Sequence, residues 1–180
     1  MKFCSHCGQS VHVEVPPGDN RPRHVCASCG QIHYENPRVV VGCVPEHAGA
    51  ILLCRRAIEP RHGYWTVPAG FMELGETLAE AAIRETWEEA NARVELGAMF
   101  AVVDVVQARQ VHVFFRGRLA DPSFGAGDET LESRLFTPEE LPWREIAFPS
   151  ITIALERFLA DGEDSNRPVH LATAPRYRLT

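Results

Sequence analysis

Apolar positions along this chain change period several times, and the changes mark its elements. Arg38-Val-Val-Val-Gly-Cys-Val44 and Ala50-Ile-Leu-Leu-Cys54 are short continuous apolar runs, which read as buried strands. Pro45 to Gly49 between them is turn-forming, so the two runs predict a hairpin. From Thr77 to Ala92 the pattern lengthens to a helical one, with Glu80 three residues after Thr77 as a capping box. Ala79, Ile83, Trp87 and Ala90 form an apolar stripe on that helix, expected to face a core. Strands return at Arg93–Leu96, Met99–Val106 and Val111–Leu119, and in the last Val111, Val113 and Phe115 alternate toward one buried face. That places His112, Arg116 and Arg118 on the other face, solvated or lining a groove. Thr137-Pro138 opens a short helix, and Pro149 to Leu159 reads as the last one, with Ile151, Leu155 and Phe158 as its stripe. The order β-β-α-β-β-α predicts an α/β fold, an α/β/α sandwich around a mixed sheet, over residues 37–160. Residues 161–180 are polar and Pro-containing and are expected to form a C-terminal tail, ordered in a dimer if at all.

Residues 1–36 carry a different signal. Cys4/Cys7 and Cys26/Cys29 form two CxxC pairs separated by eighteen residues, each followed by glycine. Four thiolates at this spacing suit a tetrahedral structural Zn²⁺ in a zinc ribbon; a redox CxxC is the competing reading. Four cysteines close such a site, which leaves His6, His12, His24 and His33 as bystanders. The ribbon is expected to pack on the following domain or on the second subunit of a homodimer. Cys43 and Cys54 stand alone in apolar runs and read as buried small hydrophobes. Net charge is −6, which argues against general nucleic-acid binding. No apolar run approaches membrane-spanning length, and the N-terminus lacks a signal-peptide segment; the expectation is a cytoplasmic protein.

The chemistry concentrates between Gly70 and Ala92. Glu85, Glu88 and Glu89 fall within about one helical turn. Adjacent carboxylates repel, so such a face is either solvated or holds a cation, and an all-oxygen set suits Mg²⁺ or Mn²⁺. Leu78, Ala81, Ala82 and Ala92 share that face, which points to a cleft rather than open solvent. Glu76 lies just before the helix, where it can reach Arg84 and brace the loop.

The spacing Gly70, five residues, Glu76, seven residues, Arg84-Glu85, two residues, Glu88-Glu89 closely resembles the Nudix box. Asn91 stands where the pattern has glycine, and Thr86 where it prefers an apolar residue. Asn91 suits a left-handed helix end, for which Asn is the usual second choice. The resemblance implies the Nudix α/β/α sandwich and a hydrolase that cleaves the pyrophosphate of a nucleoside diphosphate-linked substrate. It implies Mg²⁺ (or Mn²⁺) on Glu85, Glu88 and Glu89, with the Gly70 carbonyl as a further ligand. It also implies a substrate-facing arginine, here Arg56 of the Arg55-Arg56 pair, and an extra loop glutamate, Glu129 or Glu132, acting on the attacking water or on a metal. The base is then Glu88, Glu89 or that loop glutamate. Ribbon-bearing members act on FAD, ADP-ribose or NADH. The Ser-Gln-Pro-Trp-Pro-Phe-Pro stretch of the NADH enzymes is missing from its place, which reads Gly97-Ala-Met-Phe-Ala-Val-Val-Asp104. Two other classes stay open: a nucleotide-sensing module without turnover, and an RNA-end pyrophosphohydrolase.

Overall fold

The structure is a computed structural model that describes residues 1–162 and 167–177. The chain forms two compact units, Met1–Asn36 and Pro37–Thr180. In the first, β1 (Val11–Glu14), β2 (Arg23–Cys26) and β3 (Ile32–His33) form an antiparallel sheet in that order. Each CxxC pair sits in a tight turn: Gly8 N–H donates to the Cys4 carbonyl and Gly30 N–H to the Cys26 carbonyl, both at 2.9 Å. Gly8 and Gly30 have φ of 74° and 72°, a left-handed conformation that only glycine adopts without cost.

In the second unit, β4 (Arg38–His47), β5 (Ala50–Arg56), β6 (Trp65–Thr66) and β7 (Ala69–Phe71) precede α1 (Leu78–Ala90). Then come β8 (Val94–Val105), β9 (Gln110–Leu119), β10 (Thr130–Phe136), α2 (Pro149–Asp161) and β11 (His170–Thr173). The mixed sheet runs β10-β5-β4-β9-β8-β11. β4 and β5 pair at Glu46–Ile51 and His47–Ala50; farther along, β5 pairs with β6 and β4 with β7. β4 and β9 are parallel, as are β8 and β11.

Strand alternation sends side chains to two layers. Val41 and Cys43 of β4 pack with Ala81 and Ala82 of α1, and Leu52 and Cys54 of β5 with Ala90. Val44, Ile51 and Leu53 point the other way, into the larger core with Phe114, Ile151, Ala154 and Leu155. Each fully buried aliphatic side chain there contributes roughly 1.5–3 kcal/mol relative to exposure. A helix therefore covers each face, giving the α/β/α sandwich. No helix among the described residues is long and apolar enough to cross a membrane.

Four expectations change. The stripe Ala79–Ile83–Trp87 faces outward, with Ile83 43% and Trp87 49% exposed. α1 packs through its other side because small Ala81 and Ala82 let it lie close on β4, and that side carries the glutamates. The two strands expected at Arg93–Leu96 and Met99–Val106 are one strand, irregular around Leu96–Ala101. His112 is buried rather than solvated, its Nε2 2.9 Å from Gln110 Oε1. Within the segment expected as a tail, residues 170–173 form β11, parallel to β8; residues 163–166 and 178–180 of that segment lie outside the described residues. The anchor is Asp161, buried at the end of α2, whose carboxylate meets Arg116 at 3.4 Å, His170 at 3.0 Å and Arg167 at 3.5 Å.

Candidate active site

The site is assembled by β7, the loop after it, α1 and the loop before β10. Thr77 and Glu80 form the capping box that starts α1. Asn91 ends the helix at φ 46°, its N–H donating to the Trp87 carbonyl.

Arg84 is the hub of the near wall. Its Nε and Nη2 donate to the two carboxylate oxygens of Glu76 at 3.0 and 2.8 Å, and Nη2 also donates to the Phe71 carbonyl at 3.0 Å. Nη1 donates to Glu85 at 2.8 Å and to Glu88 at 2.9 Å. The bidentate arginine and the Glu73 N–H hold the Glu76 carboxyl down at about 2.

Glu85 and Glu89 form the floor and Glu88 the rim. Glu85 is 8% exposed and Glu89 9%. Burial pushes Glu89 up to about 8, opposed by the Ala69 N–H that donates to its Oε2 at 3.0 Å. Burial also raises Glu85, against the pull of Arg84. Glu85 lies directly over Gly70: a Cβ there would meet its carboxylate well inside 3.0 Å. The Gly70 backbone and the Glu85 carboxylate thus approach because Gly70 has no side chain.

The far wall is residues 125–129. Gly125 and Gly127 N–H groups donate to the Ala90 and Glu89 carbonyls at 2.7 and 3.1 Å, and Asn91 Nδ2 donates to the Ala126 carbonyl at 2.8 Å. This loop satisfies carbonyls that a helix end otherwise leaves open. Gly127 passes so close that a Cβ would overlap the Glu88 carbonyl oxygen.

Between these walls is a cleft of about 750 Å³, lined by Gly70, Glu85, Glu88, Glu89, Arg56 and Glu129 among others. Besides burial, the charges of Arg56 and Glu129 act on Glu89 in opposite senses. Arg56 also donates to the Pro60 carbonyl at 2.9 Å, and its guanidinium lies 5.2 Å from the centre of the Phe148 ring. Glu132 does not line the cleft: it sits in β10, half-exposed, 4.0 Å from Arg55. Asp128, Ile58 and Trp87 also line the cleft and were not expected there. The Gly125-Ala-Gly127 spacing is the sequence signal that could have marked this loop as closely packed.

In the first unit, Cys4, Cys7, Cys26 and Cys29 place their four sulfur atoms within 4.8 Å of one another. N–H donors of Cys29 and Ser28 lower the Cys26 thiol to about 6, favouring thiolate. His33 Nε2 lies 3.3 Å from Cys4 Sγ. The carboxylates of Glu85, Glu88 and Glu89 are not gathered as tightly as the thiols; Arg84 Nη1 stands between Glu85 and Glu88.

Residues 36–156 match the family model described as NUDIX domain. The chain belongs to the NUDIX family. Residues 2–35 match the model described as Nudix N-terminal, a zinc ribbon, so both units have counterparts in NUDIX hydrolases. The NAD-capped RNA hydrolase NudC of Chromobacterium violaceum is 40% identical over 95 residues, 52% of this chain and 34% of that protein. The chain thus spans about a third of the length of the curated relatives it matches. A NUDIX hydrolase from Nitrosomonas europaea is 48% identical, with a TM-score of 0.91 over 96% of this chain and 98% of that one. An ADP-ribose pyrophosphatase from Streptococcus suis shares the NUDIX fold at 22% identity and a TM-score of 0.60, over 77% of this chain and 99% of that one.

Proposed function

We propose that this chain is a Mg²⁺-dependent (or Mn²⁺-dependent) pyrophosphohydrolase. Its substrate is a nucleoside diphosphate-linked molecule, with FAD, ADP-ribose and NADH favoured. Its products are a nucleoside monophosphate and a second phosphate-bearing piece. The observation that carries this reading is one cleft holding Glu85, Glu88 and Glu89 together with Arg56 and Glu129.

The donor set fits a hard divalent cation. The oxygens of Glu85, Glu88, Glu89 and the Gly70 carbonyl would hold it. The absence of a Cβ at Gly70 brings that backbone against Glu85, and a Glu89 carboxyl raised to about 8 by burial is a group that a cation would favour in its charged form. When bound, the cation neutralises diphosphate charge and lowers the pKa of a coordinated water.

The chain's own groups do the rest. Arg56 contributes positive charge for a phosphate oxygen. Glu129 or Glu89 accepts the proton of the attacking water as the P–O bond of the anhydride breaks. Arg84 and Glu76 position the carboxylates without touching substrate. The four thiols hold structural Zn²⁺.

A second reading, an RNA-end pyrophosphohydrolase, is favoured by the curated relatives, which are NAD-capped RNA hydrolases. The net charge of −6 weighs against it. A nucleotide-sensing module without turnover fits less well, because all three carboxylates face the cleft. The test is a Mg²⁺-dependent hydrolysis panel of FAD, ADP-ribose, NADH, nucleoside triphosphates and NAD-capped RNA. Turnover of a small dinucleotide as well as or better than the capped RNA supports the reading; turnover of the capped RNA alone transfers it to the second.

A further inference from the structure

Arg56 reaches the carboxylate cleft from the end of β5. Two groups that do not line the cleft hold its side chain there. The Pro60 carbonyl accepts from Nε at 2.9 Å, and the Phe148 ring centre lies 5.2 Å from the guanidinium. A loose arginine loses rotamer freedom each time it grips a phosphate. One already held in place loses less, and its ligand binds more tightly.

Phe148 is itself fixed. It precedes Pro149, which restricts it to extended backbone, and it has φ −136° and ψ 142°. Its carbonyl accepts from the Ile151 and Thr152 N–H groups at 3.0 and 3.2 Å, and the adjacent Ala147 N–H donates to the Trp65 carbonyl at 2.8 Å. Its ring packs against the larger core. The C-terminal segment adds a second ring. The Tyr177 and Phe148 ring centres lie 6.3 Å apart with planes inclined at 60°, an edge-on arrangement that attracts aromatic pairs. Gln107 places Tyr177 from both sides of its backbone: the Tyr177 N–H donates to Oε1 at 3.0 Å, and Nε2 donates to the Tyr177 carbonyl at 3.2 Å. A continuous set of contacts therefore runs from the C-terminal segment through Phe148 to Arg56.

We propose that Phe148 is a positioning residue for substrate binding: steadied by Tyr177, it holds the Arg56 guanidinium at the cleft for a phosphate oxygen of the substrate. This rests on the reading of Arg56 as the substrate-facing arginine, and it gives the C-terminal segment a part in substrate affinity. The ring carries the effect, because a π face attracts a guanidinium and an aliphatic side chain of similar volume does not. Holding Arg56 serves ground state and transition state alike, so its loss raises KM and spares kcat.

The test is steady-state Mg²⁺-dependent hydrolysis of whichever of FAD, ADP-ribose and NADH the wild type turns over fastest. The variants are Phe148→Leu, Phe148→Tyr, Tyr177→Ala, Arg56→Ala and the Arg56→Ala/Phe148→Leu pair, each beside a thermal melt. Leucine keeps the bulk that packs on the core, and Tyr177→Ala probes the same contact without touching Phe148. We expect Phe148→Leu to raise KM about fivefold with kcat within about twofold of wild type, and Tyr177→Ala to raise KM about twofold. Phe148→Tyr should restore the wild-type KM. Arg56→Ala should raise KM about tenfold, and Phe148→Leu should add nothing in that background. The proposal is overturned if folded Phe148→Leu or Tyr177→Ala keeps the wild-type KM, or if Phe148→Leu exerts its full effect without Arg56. Arg56→Ala with the wild-type KM overturns the substrate-facing reading of Arg56 and this proposal with it; a wild type that hydrolyses none of the three overturns the proposed function itself.

Discussion

Gly70→Ala is the sharpest perturbation of the site that removes no charged group. The Gly70 backbone has no positive φ, so alanine adopts the same conformation without strain. The added Cβ would sit well inside 3.0 Å of the Glu85 carboxylate. To regain ordinary contact the carboxylate must retreat by about 1 Å, and that motion works against its 2.8 Å bond from Arg84. Because the clashing atoms are the free end of a side chain, the fold absorbs the change, and we expect the melting temperature to move by only a few degrees. A displacement of that size in a catalytic group costs about 10²-fold in rate, or about 2.7 kcal/mol of barrier. The assay is Mg²⁺-dependent ADP-ribose hydrolysis beside a thermal melt. Glu85→Ala and the double variant close the cycle: once Glu85 is gone, Gly70→Ala should cost almost nothing more. If Gly70→Ala retains activity within about threefold of wild type, the position of Glu85 over Gly70 is not what the chemistry requires.

Thr86 is fully buried, and its hydroxyl donates to the Ala82 carbonyl at 2.7 Å. Thr86→Val removes donor and polarity together, so chemical denaturation should show a change below about 1 kcal/mol. Burial lowers His112 from 6.5 to about 4, so between those values the unfolded chain binds the proton and the folded chain does not. The contribution of His112 to stability is therefore complete above about pH 6.5 and falls by about 3 kcal/mol as pH drops toward 4; the gap in denaturation midpoint between wild type and His112→Leu should change accordingly across this range. Metal analysis should find one zinc per chain, and Cys26→Ser should abolish it. A folded, zinc-free wild type would refute the ribbon assignment.

β4, β5, β9 and both helices are legible because apolar run length and period carry them, and β4, β5 and α2 begin within a residue of the positions their patterns predict. The short β6 and β7 and the edge strand β10 are not read from the pattern. The capping box of Thr77 and Glu80 and the left-handed Asn91 are equally local and equally readable. The side of α1 that meets the sheet is not. Both stripes are apolar, and only the close approach of Ala81 and Ala82 to Val41 and Cys43 selects one. β11 is hidden for a similar reason: four residues with an exposed Leu171 carry too little alternation, and the ion pairs on Asp161 that anchor it are long-range. At the site, spacing puts Glu85, Glu88 and Glu89 on one turn and Arg84 within reach of Glu76. It cannot choose between Glu129 and Glu132. Which of the two lines the cleft depends on where the loop 125–129 closes over the end of α1, and there two glycines and Asn91 hold it through hydrogen bonds to backbone carbonyls.

The central claim is that the carboxylate cleft hydrolyses a pyrophosphate with a divalent cation on the glutamates of α1. The most direct measurement is steady-state ADP-ribose hydrolysis, with and without Mg²⁺, by the wild type, Glu88→Gln and Glu89→Gln, each shown to be folded by its melt. The account predicts Mg²⁺-dependent turnover by the wild type and a loss of at least about 10²-fold in one or both variants. Full activity in both variants, or turnover indifferent to Mg²⁺, would contradict it.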